Sequence, residues 1–492
     1  MKPLDILLIH PNSAVAVYQS LSREHSAIET PIWAGMLARH CLDLGFGAEI
    51  MDCEAEGFND KTAAYLIKEM KPRIACFVVY GQQPSASSQN MEGAISLATE
   101  LKLLDPTIKT LFVGGHVSAL PLEVLKHNCV DFVCQNEGVY AIRGLLCSPC
   151  FNPSYYEKVR GLGWKSVRLE MNEPAPIVPQ NMLPHDLPGI AWGLLPSPAK
   201  YRTAGWHSWS NGSVKSPFAS LYTSLGCPFS CSFCMINVPF GGSSFRYWPP
   251  EHIIGEFDKL AEMGVKNVKI ADEMFVLKEE HFMEVCRLLA ERKHGFNIWA
   301  YSRVDTCKPR HLEALKKVGI NWLGLGIESP DQMVRKDVVK GGYKEVKILD
   351  VIKSIQEAGI NVGANYIFGL PKDTMETMQR TLDFAMSAKT EYANFYSAMC
   401  YPGSQLYQTA KEKGWTLPDR YAGWSQHSYW TQPLPTETLP AAEVLRFRDA
   451  VWQKYFTDPG YLGMLRGKFG QAAVDDVERS TKIKLKRKLL GD

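Results

Sequence analysis

Twice along this chain, at residues 1–150 and again at 216–413, short apolar runs of strand length alternate with amphipathic runs of helical length. Strands separated by helices need crossover connections, and these return the chain to a parallel sheet. In the first block Ile6, Leu7, Leu8 and Ile9 open the series, and strand-like runs follow at 48–52, 74–80, 110–113 and near 132–133. Helix patterns at 33–42 and 91–104 lie between them, so the block predicts an α/β, doubly wound, flavodoxin-like parallel sheet. In the second block strands at 218–223, 268–271, 297–301, 322–326, 362–368 and 393–397 alternate with helices at 251–263, 279–293, 308–318, 344–358 and 375–387. That order fits a partial (β/α)6 TIM-type barrel with its chemistry at the carboxyl ends of the strands. Residues 151–215 are punctuated by proline and read as a linker, and 414–492 read as a small helical C-terminal cap with a helix at 441–456.

Lys and Arg total 54 against 52 Asp and Glu, a balance that excludes nucleic-acid binding by bulk charge. No apolar run reaches the roughly 18 residues of a membrane span, and the first residues do not read as a signal peptide. With 13 Cys expected mainly as free thiols, a cytoplasmic protein acting on a small molecule is the expectation. Cys147 and Cys150 form an isolated C-x2-C, read as incidental, and the basic run at 482–488 reads as a solvated helix face.

Cys227, Cys231 and Cys234 are spaced C-x3-C-x2-C in one loop directly after the first barrel strand, with Gly226 breaking that strand. Three thiolates held this closely can bind three irons of a [4Fe-4S] cube and leave the fourth open to a ligand. Zinc is the alternative, but a structural zinc site wants four ligands and no Cys or His pair follows closely. Acidic and basic residues collect where the barrel's carboxyl face should lie, at Asp272 and Glu273, Ser302 and Arg303, and Glu328 and Ser329. Buried strand ends carry such groups when they hold a ligand or a partner. In the first block the strand-end loops contain Pro11 and Asn12, Gly81 and Gln82, Gly114, Gly115 and His116, and Glu137, where glycine lets a bulky ligand approach the backbone. No G-x-G-x-x-G follows the first strand, so a dinucleotide reading is weak.

The cysteine loop, with Phe233 just before its last Cys, resembles the signature of the radical S-adenosylmethionine (SAM) enzymes. The resemblance implies that the open iron chelates SAM and delivers one electron, supplied by a reductant such as flavodoxin or ferredoxin, to release a 5′-deoxyadenosyl radical. It assigns Asp272 or Glu273 to the SAM amino group, Arg303 to its carboxylate and Glu328 and Ser329 to the ribose. Ile367, Gly369 and Tyr401 fall where adenine is packed. At Ala271, Asp272 and Glu273 the chain departs from that family's usual Gly-Gly-Glu.

Thr30, Pro31, Ile32 and Trp33, the Gly114 to His116 turn and the segment from Asp131 to Gly138 resemble the cobalamin-binding domain found ahead of many radical SAM domains. That resemblance makes Pro11, Asn12, Gly81, Gln82, Gly114, Gly115, His116 and Glu137 the expected cobalamin contacts. The D-x-H-x-x-G motif that supplies a cobalt-ligating His in other cobalamin proteins is absent, and His10 and His116 read as turn or core residues. Together the resemblances imply a cobalamin-dependent radical SAM enzyme that methylates an unactivated carbon. A non-methylating cyclase, like the anaerobic magnesium-protoporphyrin monomethyl ester cyclase, and a corrinoid or redox sensor without turnover stand as alternatives. Methylthiolation does not fit, since Cys41, Cys53 and Cys76 lack that family's second-cluster spacing. Trp206 and Trp209 are read as packing or substrate-lining aromatics, and His427 and Tyr429 as substrate contacts or proton donors.

Overall fold

The computed structural model describes residues 3–81, 86–148, 151–340 and 347–492. Its first sheet holds β1 (Ile6–His10), β2 (Ala48–Asp52), β3 (Ile74–Val78), β4 (Lys109–Val113), β5 (Phe132–Cys134), β6 (Leu162–Lys165) and β7 (Leu169–Met171), in the order 2-1-3-4-5-6-7. β1 to β5 are parallel in the flavodoxin-like order. Every residue of β1 and β3 is buried, as strands covered on both faces require. Leu7, Ile9, Phe77 and Phe112 pack beneath the domain's own helices, while Ile6, Leu8, Cys76 and Val78 belong to a core that continues into the second sheet.

β6 and β7 come from the span expected to be a linker and extend the first sheet, β6 antiparallel to β5 and β7 antiparallel to β6. Trp164 packs edge-on to Tyr156, so this proline-rich stretch carries core residues. Its short strands are too brief for a period to be legible beside so many prolines.

The second sheet runs β8 (Phe218–Leu221), β11 (Asn267–Ile270), β12 (Asn297–Arg303), β13 (Ile320–Glu328), β14 (Asn361–Phe368) and β15 (Tyr392–Ser397), all parallel and in chain order. Between β8 and β11 the cysteine loop is framed by a short hairpin of β9 (Ser224–Leu225) and β10 (Arg246–Tyr247). Sequential parallel strands curling under their helices make an open barrel, as expected.

Helices Ala441–Phe456, Pro459–Phe469 and Gln471–Thr481 complete the chain's last domain. The basic run is not on an α-helix, and only its last residue, Lys488, enters a short 3-10 turn. It leaves the last helix extended, with Lys482, Lys484, Lys486 and Lys488 exposed, Ile483 and Leu485 half-buried, and Arg487 fully buried. Arg487 donates to both Asp449 carboxylate oxygens at 2.9 and 3.0 Å and to Ser428 O and Thr431 Oγ1 at 3.0 Å. This strap is also tied to the first domain: the Gln19 side chain donates to Lys486 O and accepts from its N–H.

The domains are joined by a buried ion pair. Arg246 Nη2 lies 2.6 Å from Glu137 Oε1, and the other Glu137 oxygen accepts from Val178 N at 2.7 Å. Among the described residues no helix is long and apolar enough to cross a membrane.

Candidate active site

A cavity of about 960 Å³ lies between the carboxyl ends of the two sheets, and Cys227, Cys231 and Cys234 all line it. Their loop is fixed from below. The Asp272 carboxylate accepts from Thr223 N (2.6 Å), Thr223 Oγ1 (2.5 Å) and Ser224 Oγ (2.6 Å), which pins the end of β8. Gly226 then turns the chain at φ +85°, and a Cβ there would sit 2.6 Å from Ser244 O. Only glycine meets both demands.

Burial pushes the Cys227 thiol up to about 11 and the Cys234 thiol up to about 12. Such thiols ionise when a metal takes the proton's place. Arg303 Nη1 lies 4.0 Å from Cys231 Sγ with its guanidinium 3.8 Å over the Phe229 ring, a cation set beside the thiols. The donor set therefore fits a three-thiolate cluster. Among the described residues no three His, Cys, Asp or Glu side chains are gathered as around a single metal ion. A cube spreads its thiolates over three irons and needs no such convergence.

Of the residues assigned to SAM by resemblance, Phe233, Glu273, Arg303, Glu328, Ile367 and Tyr401 line the cavity. Glu273 accepts from Gly226 N at 2.9 Å, and burial pushes its carboxyl up to about 8. Glu328 forms a buried ion pair with Lys340, at a left-handed φ of +62° that interrupts the β13 to β14 register. Three others are placed elsewhere. Asp272 is spent on the β8 end, Ser329 Oγ turns to Thr381 (3.2 Å) and Asp331 N (3.1 Å), and Gly369 abuts Val444. Arg303 also commits Nε and Nη2 to Asp305 at 2.9 and 3.1 Å, so its bidentate edge is already taken.

The expected cobalamin contacts divide similarly. Gly81 lines the cavity and Gln82 lies outside the described residues. Pro11 and Asn12 stand behind the wall, where Asn12 accepts from Ala14 N and donates to Phe58 O. Gly114 answers a packing demand, since a Cβ would lie 2.6 Å from Val79 O. Gly115 faces a small void beside Met235, and His116 bonds Ser88 Oγ at 2.9 Å with its ring edge-on to Trp424. Glu137 is consumed by Arg246. The wall itself is built by His10, Ser13, Tyr18, Tyr80, Gln89 and Asn90, of which the sequence singled out only His10, and not as a ligand. His10 is held raised by Glu54 and Asp52 despite its burial. Trp33 stacks on Tyr80 at 4.3 Å and meets Tyr222 edge-on at 6.5 Å, which carries this wall across to the second domain.

Trp206 and Trp209 line the far end of the cavity and pack with Trp299, Trp322 and Tyr392. His427 reaches the cavity, but burial, with Arg448 and Arg487 nearby, lowers it to about 3, so it is neutral and no proton donor near pH 7. Tyr429 does not reach it: its hydroxyl donates outward to Asp492 O at 3.1 Å, because the strap covers that side. Cys147 is exposed and Cys150 lies outside the described residues.

Residues 221–385 match the family model described as Radical SAM superfamily, and residues 23–146 match that described as B12 binding domain. The chain therefore carries a radical SAM domain and a B12-binding domain. An uncharacterized methyltransferase of Pyrococcus horikoshii is 26% identical over 412 residues, covering 83% of this chain and 84% of that protein. The anaerobic magnesium-protoporphyrin IX monomethyl ester cyclase of Cereibacter sphaeroides is 22% identical, covering 92% of this chain and 69% of the relative. In fold, the radical SAM methyltransferase TsrM from Kitasatospora setae, solved with cobalamin and a [4Fe-4S] cluster bound, superimposes with a TM-score of 0.68 at 15% identity, over 98% of this chain and 99% of that one.

Proposed function

We propose that this protein is a cobalamin-dependent radical SAM methyltransferase acting on an unactivated carbon of a small molecule. One observation carries the reading: the three cysteines and the strand ends of the B12-binding domain open onto the same cavity, so both cofactors would face one substrate. When bound, the cluster with SAM supplies a hydrogen-abstracting carbon radical, and cobalamin supplies the methyl carrier. The chain's part is to hold and shield them. Cys227, Cys231 and Cys234 would ligate the cluster, with Arg303 balancing charge beside Cys231. Glu273 would meet the SAM ammonium, whose charge would draw its raised carboxyl back to the ionised form. Glu328, held by Lys340, would take the ribose, and Phe233, Ile367 and Tyr401 the adenine. On the other wall His10, Ser13, Gln89 and Asn90 would meet the corrinoid. The aromatic walls exclude bulk solvent and the reductants dissolved in it.

A one-electron donor such as flavodoxin or ferredoxin and a cytoplasmic location complete the proposal; the free, mainly buried cysteines suit a reducing compartment. Similarity to the cyclase over 92% of the chain supports a second reading, radical chemistry without methyl transfer. Anaerobic reconstitution with iron, sulfide and hydroxocobalamin, followed by SAM and dithionite, separates the two. Retained corrinoid with both S-adenosylhomocysteine and 5′-deoxyadenosine is the expected result. Retained corrinoid with 5′-deoxyadenosine alone favours the cyclase-like reading, and loss of all corrinoid on desalting overturns both.

A further inference from the structure

The barrel's concave face has a floor of which the cofactor assignments use only Arg303. Across adjacent strands one row reads Tyr301, Gly324, Gly363 and Tyr392, and the next row toward the cluster reads Arg303, Gly326, Asn365 and Asn394. All eight residues line the cavity. Glycine weakens a central strand, so its use here needs a reason. At Gly324 the reason is internal, because a Cβ would lie 2.9 Å from the Tyr301 ring. At Gly363 no such reason exists: a Cβ would find nothing nearer than Leu323 O at 3.9 Å, and φ is ordinary. The floor is simply left at backbone level between two phenol rings.

Directly above this floor Asn394 Nδ2 donates to Asn365 Oδ1 at 2.9 Å. The remaining amide atoms, Asn365 Nδ2 and Asn394 Oδ1, have no hydrogen-bond partner among the described residues and belong to side chains on the cavity wall. Two linked amides present one donor and one acceptor side by side. Turning both over exchanges their roles and leaves the same outward pair. A carboxylate placed there would meet the Asn394 oxygen, and an ammonium would meet the Asn365 N–H groups, so either charge is disfavoured. A flat group with a carbonyl next to an N–H satisfies both positions at once.

We propose that Asn365, Asn394 and the Gly363 floor form the recognition site for a planar substrate group with a cis-amide edge, a lactam or a primary carboxamide. The substrate carbonyl accepts from Asn365 Nδ2, and its N–H donates to Asn394 Oδ1. The inference rests on the preceding reading only in taking the cavity as the substrate chamber.

The test uses 2-quinolone as probe, with N-methyl-2-quinolone as the control lacking the N–H. Equilibrium dialysis against the full-length, cofactor-reconstituted protein, read by mass spectrometry, gives both affinities. The expected result is at least tenfold tighter binding of 2-quinolone, with that preference lost in Asn394→Leu while the cluster absorbance stays unchanged. Equal binding of the two probes by the unmodified protein overturns the proposal whatever the variant does, and so does a preference that survives Asn394→Leu. If the methyltransferase reading is wrong, the failure appears as missing methyl-transfer products, and the probe preference is still readable.

Discussion

At the scale of single residues, the buried histidines give the clearest handle. Burial, reinforced slightly by His127, pushes His116 down to about 3, while the same ring in the unfolded chain titrates near 6.5. The unfolded state therefore takes up a proton as pH falls below 6.5 and the folded state does not until about 3, so His116 withdraws stability through that window. At pH 5 the loss from this ring alone is about 2 kcal/mol. Replacing it by asparagine, which does not titrate, is expected to flatten the fall in urea midpoint between pH 7 and 5, whatever the variant costs at pH 7. Residue by residue, the sequence is legible where function is local. The cysteines sit within one loop, and their spacing with no fourth ligand close by points to the cluster. The Gly114 turn and Glu137 mislead for the opposite reason, since a glycine or an acid at a strand end looks the same whether it meets a ligand, a neighbouring carbonyl or an arginine from 109 residues away.

Among elements, the strap after Thr481 shows how a pattern is misread. Lys482, Ile483, Lys484, Leu485, Lys486, Arg487 and Lys488 alternate with the period of two that belongs to extended chain, and the structure follows it. Charge density points to a solvated helix, and the alternation is the better guide. Arg487 bolts the strap to Asp449 and to the carbonyl of Ser428. Substituting Met for Arg487 leaves Asp449 with Arg448 and the Ser428 carbonyl with Thr431 as remaining donors, and the lost charge-assisted bonds are expected to cost about 2 kcal/mol. The measurable consequence is a lowered urea midpoint together with faster proteolysis after Lys482, Lys484 and Lys486. Strand register, by contrast, cannot be read from one sequence. The alignment of Asn365 with Asn394, and of two glycines beside them, exists only once β13, β14 and β15 are paired.

For the whole molecule, the decisive contact is Glu137 with Arg246, since it welds the two domains whose faces enclose the cavity. Changing Arg246 to Met strands a carboxyl that burial already raises. The expected loss is about 3–5 kcal/mol, measured by calorimetry. It should grow as pH rises, because the unfolded chain gives up the Glu137 proton easily while the folded variant resists. The two-domain α/β architecture is legible from strand and helix alternation alone, whereas the seam between the domains depends on residues far apart in sequence. The bond between Gln19 and Lys486 is the most distant of these, 467 residues apart. During synthesis at about 5–20 residues per second, the first domain waits roughly 20–100 s for that partner. Until then the part of the cavity wall supplied by Ile483 and Leu485 is missing, and the chamber stands more open in the nascent chain than in the finished protein.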